Sequence, residues 1–150
     1  MSDLSSVTAL RKTAPQLPVH WYFDARIYEA EQRLLFANGP GYVGHELMTP
    51  NVGDYQTLSW QGNAQALVRN NDGVELLSNI CRHRQAVILK DRGNTKNIIC
   101  PLHRWTYDLH GRLLGAPHFA DDPCLNLRND ALQRWRGLLF DAGGGDIATE

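Results

Sequence analysis

Cys81-Arg82-His83 is followed, after sixteen residues, by Cys100-Pro101-Leu102-His103. Each short pair brings one thiol and one imidazole to a single tight loop. Two thiolates and two neutral imidazoles can hold a tetrahedral zinc ion, or a [2Fe–2S] cluster in which two His replace two Cys on one iron. Zinc sites usually pair like with like, Cys-x2-4-Cys and then His-x3-5-His. Here each pair is mixed. If both Cys bind one iron and both His the other, each loop must give one ligand to each metal. Burial as an inert Cys or a satisfied core His is a fair reading of any one of these residues alone. It fails for four arranged together.

The stretches around these pairs read as short strands and turns. Tyr42–Leu47, Tyr55–Trp60, Ala64–Arg69 and Val74–Asn79 are β-rich runs, and Asn70-Asn71-Asp72-Gly73 between the last two is a hairpin signal. That hairpin delivers the chain to Cys81. Asp91-Arg92-Gly93-Asn94 reads as a turn, Asn97-Ile98-Ile99 leads into Cys100, and Trp105–Leu114 reads as a further hairpin. Leu125–Arg128 alternates, Leu132–Phe140 reads as one more strand, and Asp121-Asp122 is a turn. Ahead of all these, Asp24 is the N-cap of an expected helix from about Ala25 to Ala37, stopped by Asn38-Gly39-Pro40-Gly41. The expected fold is all-β, mainly an antiparallel sandwich with a cluster-binding subdomain, plus a short N-terminal helix. Ligands at loop tips between strands are held rigidly yet stay reachable.

Asn79-Ile80-Cys81-Arg82-His83-Arg84 and Cys100-Pro101-Leu102-His103-Arg104-Trp105-Thr106-Tyr107-Asp108 resemble the Rieske motif. The subgroup they resemble is the N-terminal domain of the α-subunit of Rieske non-haem iron oxygenases, the aromatic-ring-hydroxylating type. The likeness runs from about Tyr22 to Phe140 and includes Trp135, Gly137 and Phe140 at family positions. It implies a [2Fe–2S] cluster held by Cys81, His83, Cys100 and His103. It also implies electron transfer from a reductase or ferredoxin to a mononuclear non-haem iron, held by two His and a carboxylate in a catalytic domain beyond this sequence. One exposed ligand His would face that domain in a neighbouring α-subunit of a homo-oligomer, a trimer. This chain alone is expected to hydroxylate nothing. A free-standing Rieske ferredoxin and a structural Cys2His2 zinc domain are the alternatives.

Departures from the wider family carry information. Ala86 and Leu102 stand where Rieske proteins of cytochrome bc complexes have two bridged Cys, and Trp105 stands where those have a Ser that donates to a cluster sulfide. Tyr107 keeps the other donor position. Fewer donors leave the reduced cluster less stabilised, so the potential is expected in the lower part of the Rieske range, about −150 mV to 0. It is also expected to fall as pH rises, because the imidazoles can lose protons. Arg104 replaces the family's usual Gly, so the second loop is expected to differ in backbone angle, and Gln85 likewise stands where Gly is common. Arg82, Arg84 and Arg104 form a basic rim suited to an acidic electron donor.

Six His and three Cys are present in all. His20, His45, His110 and His118 lie on different expected elements and read as structural or surface residues, and Cys124 reads as a small buried hydrophobe. Trp60, Trp105 and Trp135 read as core. The 150 residues bear 15 basic and 16 acidic side chains, a balance that points to neither nucleic acid nor a charged membrane. With two of three Cys claimed by the motif, a reducing compartment is expected, and with no apolar run of spanning length the default is cytoplasmic. Residues 1–19 read as a loose arm, 20–142 as the cluster domain with its loops at 79–108, and 143–150 as a tail.

Overall fold

The structure is a computed structural model that describes residues 17–119, 123–145 and 147. The sixteen N-terminal residues, which fall in the expected arm, and Asp121-Asp122 lie outside the described residues. The chain divides into two units, one ending at Asn38 and one starting at Gly39.

In the first unit a 3-10 turn, Val19–Tyr22, precedes α1, Ala25–Glu31. Asp24 caps α1 as expected: its Oδ1 accepts from the Arg26 N–H at 2.9 Å, and its other oxygen pairs with the Arg26 guanidinium at 2.9 Å. The helix then widens into a π-turn, Gln32–Phe36, closed by the Ala37 N–H on Gln32 O at 2.8 Å. The Asn38 side-chain amide donates to Arg33 O at 3.0 Å and ends the element.

The second unit is antiparallel β. Its strands are β1 (Gly41–His45), β2 (Asp54–Thr57), β3 (Gln65–Arg69), β4 (Val74–Ser78), β5 (Arg92–Asn94), β6 (Ile98–Ile99), β7 (Thr106–Tyr107), β8 (Leu113–Gly115), β9 (Asn129–Asp130), β10 (Leu132–Trp135) and β11 (Leu138–Asp141). Among the described residues they form three sheets, ordered β5-β2-β3-β4-β9, β1-β11-β10 and β6-β7-β8.

The period-two alternation of β3 and β4 explains the layering. Ala66 and Val68 on β3, with Leu77 on β4, pack with Cys81, Ile98, Cys100, Trp105 and Tyr107. Leu67, Val74 and Leu76 point the opposite way and pack with Val43, Leu58 and Leu139. The five-stranded sheet is therefore the wall between two cores. One core backs the β1-β11-β10 sheet, and the other holds the β6-β7-β8 sheet and the two ligand loops.

Several expected strands are cut short by local chemistry. The run expected to reach Leu47 ends at His45, whose Nδ1 accepts from the Leu47 N–H at 3.0 Å and caps a 3-10 turn, Glu46–Met48. The run expected to reach Trp60 ends at Thr57; Ser59–Gln61 is a 3-10 turn, and Trp60 is 58% exposed rather than core. Trp135 is also partly exposed, with the Arg136 guanidinium over its ring at 5.2 Å. Leu132–Phe140 is a hairpin, not one strand. Arg136 and Gly137 both take positive φ (50° and 85°), and Trp135 pairs across the turn with Leu138. Arg92–Asn94, expected as a turn, pairs with β2, leaving Asp91 (φ 53°) as the bend. Leu125–Arg128 is a connector whose Leu127 is buried, and pairing starts only at Asn129.

Candidate metal centre

Two loops carry the four motif residues. The first leaves β4 through Asn79, and the second joins β6 to β7. Asn79 is buried and uses its whole side chain: Nδ2 donates to Asn63 O and Leu89 O at 2.9 Å each, and Oδ1 accepts from the Leu89 N–H at 2.7 Å. It thereby ties the two ends of the first loop together. Beyond it the loops close in the same way. The Cys81 N–H donates to Ala86 O at 2.8 Å and the Gln85 N–H to Cys81 O at 2.9 Å; the Cys100 N–H donates to Trp105 O at 2.8 Å and the Arg104 N–H to Cys100 O at 3.1 Å.

The closures bring the motif residues into two like pairs, Cys81 against Cys100 and His83 against His103. Cys81 and Cys100 are 1% and 2% exposed. Burial pushes the Cys100 thiol above its ordinary range, and the neighbouring Cys81 thiol adds to this. Two thiols held together in an apolar pocket resist ionisation until a cation shares the space, which reverses the balance. The imidazoles of His83 and His103 meet edge to face, 4.7 Å apart at 77°. Burial lowers the His83 pKa, with His103 and Arg84 adding to the effect, so the ring is held in the neutral form that binds metals. Its Nδ1 is buried with no hydrogen-bond partner. A buried lone pair left unused costs about 1–3 kcal/mol unless a ligand takes it. The residues present therefore fit a [2Fe–2S] centre: two adjacent buried thiols, and two imidazoles in ring contact, one of them with an orphaned nitrogen.

Around these four lie residues that shape them. The Tyr107 hydroxyl is 3.5 Å from Cys81 Sγ and accepts from the Arg82 N–H at 3.2 Å. Burial pushes the phenol well above its ordinary range, so it keeps its proton and can donate to sulfur. Trp105, fully buried as expected, stacks on His83 with ring centroids 5.0 Å apart and planes within 6°. Phe119 meets both rings edge to face, at 5.8 Å from His83 and 5.1 Å from Trp105. The sequence singled out neither Phe119 nor the clamp made by Asn79. The one readable signal for Phe119 was the Pro in Ala116-Pro117-His118-Phe119, which starts a turn.

The remaining sequence expectations sort cleanly. Gln85 and Arg104 both take the left-handed backbone, with φ 56° and 60°. Ala86 is partly buried against the core and Leu102 is exposed, so no bridge joins the loops. Arg82, Arg84 and Arg104 are exposed. Cys124 is exposed rather than buried, with a positive φ of 52°. His45 is a cap. His110 Nδ1 sits 3.1 Å from both Glu75 Oε1 and Asn70 Nδ2, a structural contact between the β7–β8 turn and the β3–β4 hairpin. No helix among the described residues is long and apolar enough to cross a membrane.

Comparison with known proteins agrees with this geometry. Residues 42–130 match the model of the Rieske [2Fe-2S] domain. The putrescine 2-hydroxylase of Ralstonia nicotianae is 59% identical over 150 residues, which are all of this chain and 41% of that protein. The putrescine 2-hydroxylase of Bordetella bronchiseptica is 44% identical over 165 residues, spanning the whole chain and 38% of that protein. Naphthalene 1,2-dioxygenase from Rhodococcus sp. superimposes with a TM-score of 0.68 at 26% identity, over 83% of this chain and 31% of that one. The chain belongs to the Rieske [2Fe–2S] domain family, and it spans less than half the length of the hydroxylases it matches.

Proposed function

We propose that Cys81 and Cys100 hold one iron of the [2Fe–2S] cluster and that His83 and His103 hold the other. The observation that carries this is the buried, unpartnered Nδ1 of His83, set in a ring contact with His103, in a domain that also holds two adjacent buried thiols. When bound, the cluster supplies one-electron uptake and release. The chain's own residues do the rest. Tyr107 presents a protonated hydroxyl to Cys81, the two closed loops fix the spacing of the ligands, and the buried thiols keep solvent from the sulfur side.

In this reading the domain takes electrons from a reductase or ferredoxin and delivers them to a mononuclear non-haem iron elsewhere in the oxygenase, in the cytoplasm, where the thiols stay reduced. The likeness to two putrescine 2-hydroxylases across the whole chain supports an aliphatic diamine as the substrate class of the whole protein. Purification of the chain under anaerobic, iron-replete conditions tests the ligand set. Roughly two iron and two acid-labile sulfide per chain are expected, and Cys100→Ser and His83→Ala should each lose them. A protein that carries zinc alone would overturn the assignment.

A further inference from the structure

Resting on the assignment of His83 as an iron ligand, we propose that Phe119 and Trp105 form an aromatic wall that orients the His83 imidazole and keeps water from it, lowering the reduction potential. Three rings surround that of His83. Trp105 stacks on one face at 5.0 Å and 6°, Phe119 meets it at 90° and 5.8 Å, and His103 meets it at 77°. Phe119 also packs at 85° against Trp105, so the wall is one braced unit. Stacked and edge-to-face ring pairs are favoured beyond their buried area, which selects one ring orientation over a free rotor.

The chain builds Phe119 into place by turn chemistry. After β8 the Phe119 N–H donates to Ala116 O at 3.1 Å, with Pro117 second in the turn and His118 third at φ 71°. That is the type II pattern, in which Pro presets one angle and the third residue must go left-handed. The turn folds Phe119 back onto His83, 36 residues earlier in the chain. Phe119 is 47% exposed, so one side of its ring meets solvent while the other covers the imidazole.

The electrostatic consequence has a definite sign. Two ferric ions, two sulfides, two thiolates and two neutral imidazoles sum to zero charge; one added electron makes the centre singly negative. Water near the centre stabilises the charged, reduced form, and excluding it favours the oxidised form. Phe119 is thus a positioning residue acting through His83.

The test compares Phe119→Ala with Phe119→Leu in the cluster-loaded chain, by redox titration of the visible spectrum and by the rate of bleaching in air with a chelator. Phe119→Ala should raise the midpoint potential and bleach several-fold faster, and Phe119→Leu, which restores apolar cover, should return both toward the parent values. A Phe119→Ala protein isolated without cluster, beside a fully loaded Phe119→Leu, would support the wall as well. If both variants keep the parent potential and bleaching rate, or both lose cluster equally, the wall is wrong. A parent chain that binds no iron at all would instead overturn the ligand assignment, a separate and visible failure.

Discussion

Gln85 and Arg104 occupy the same place in the two ligand loops, each four residues after a motif Cys and each in the left-handed region, at φ 56° and 60°. In each loop that residue's N–H closes onto the Cys carbonyl. An L-residue pays about 1–2 kcal/mol for this conformation, and Gly gives back about 0.5–1 through its larger unfolded-state entropy. Gln85→Gly should therefore leave stability unchanged or raise it by up to about 1 kcal/mol. Thermal unfolding of the loaded protein is the measurement, and a clear drop would show that the Gln side chain contributes something its exposure hides.

Asn79 makes the opposite case. Its side chain satisfies one buried N–H and two carbonyls at the neck of the first loop. Asn79→Ala leaves all three without partners and should cost about 2–4 kcal/mol. Denaturant unfolding will read that loss, and the same variant should retain less iron per chain than the parent, because the neck that spaces Cys81 and His83 is loosened.

Tyr107→Phe removes one hydroxyl from a fully buried ring. The Arg82 N–H loses its acceptor, at a cost of about 1–3 kcal/mol. Cys81 Sγ loses its donor at 3.5 Å, which leaves the reduced centre less stabilised and should lower the midpoint potential. This shift is opposite in sign to that expected for Phe119→Ala, so one redox titration series separates the two residues.

The motif could be read from sequence because its constraint is short-range: the types and spacing of Cys81, His83, Cys100 and His103 sit within two loops. The hairpin at Asn70–Gly73 was legible for the same reason. Its turn is built from its own residues, with Asn70 Oδ1 accepting from the Asp72 and Gly73 N–H groups at 2.9 Å. Arg136-Gly137 was not legible, because the apolar residues of Leu132–Phe140 continue through it and only the backbone angles reveal the turn. Phe119 was invisible because its partners, Trp105 and His83, lie 14 and 36 residues away and meet it only once the sheets are assembled. Trp60 misled because a large aromatic reads as core, whereas the strand that carries it ends three residues earlier.

Asp54, at the start of β2 in the five-stranded sheet, gives a pH prediction. The Asn94 side-chain amide, and then the Asn51 N–H, hold its carboxyl below the usual carboxylate range. A depressed folded-state pKa contributes stability that is complete above the unfolded pKa and is lost as pH falls through the folded one. Acid unfolding of the parent should thus steepen below the usual carboxylate range, and Asp54→Asn should flatten that limb while lowering stability at neutral pH. Parallel acid curves for the two proteins would remove Asp54 from the account.

The basic rim gives the last prediction. Six of the fifteen basic residues and one of the sixteen acidic ones fall within residues 79–107, so that stretch has a formal charge of +5 in a chain of net −1. Arg82, Arg84 and Arg104 lie on the ligand loops themselves, exposed and with no carboxylate paired to them among the described residues. Charges spread over an open face add little stability, but they steer an oppositely charged protein, and steering is screened within about 10 Å at 0.1 M salt. Reduction of the cluster by an acidic ferredoxin should therefore slow steeply as salt is raised. Arg82→Gln, Arg84→Gln and Arg104→Gly together should lower the second-order rate about tenfold at low salt and leave little difference near 1 M, where screening is nearly complete. Arg104→Gly separates charge from backbone, since it removes the guanidinium while keeping the left-handed turn. The reading predicts slower reduction with no loss of thermal stability. An unchanged salt dependence in the triple variant would show that the donor docks on another face.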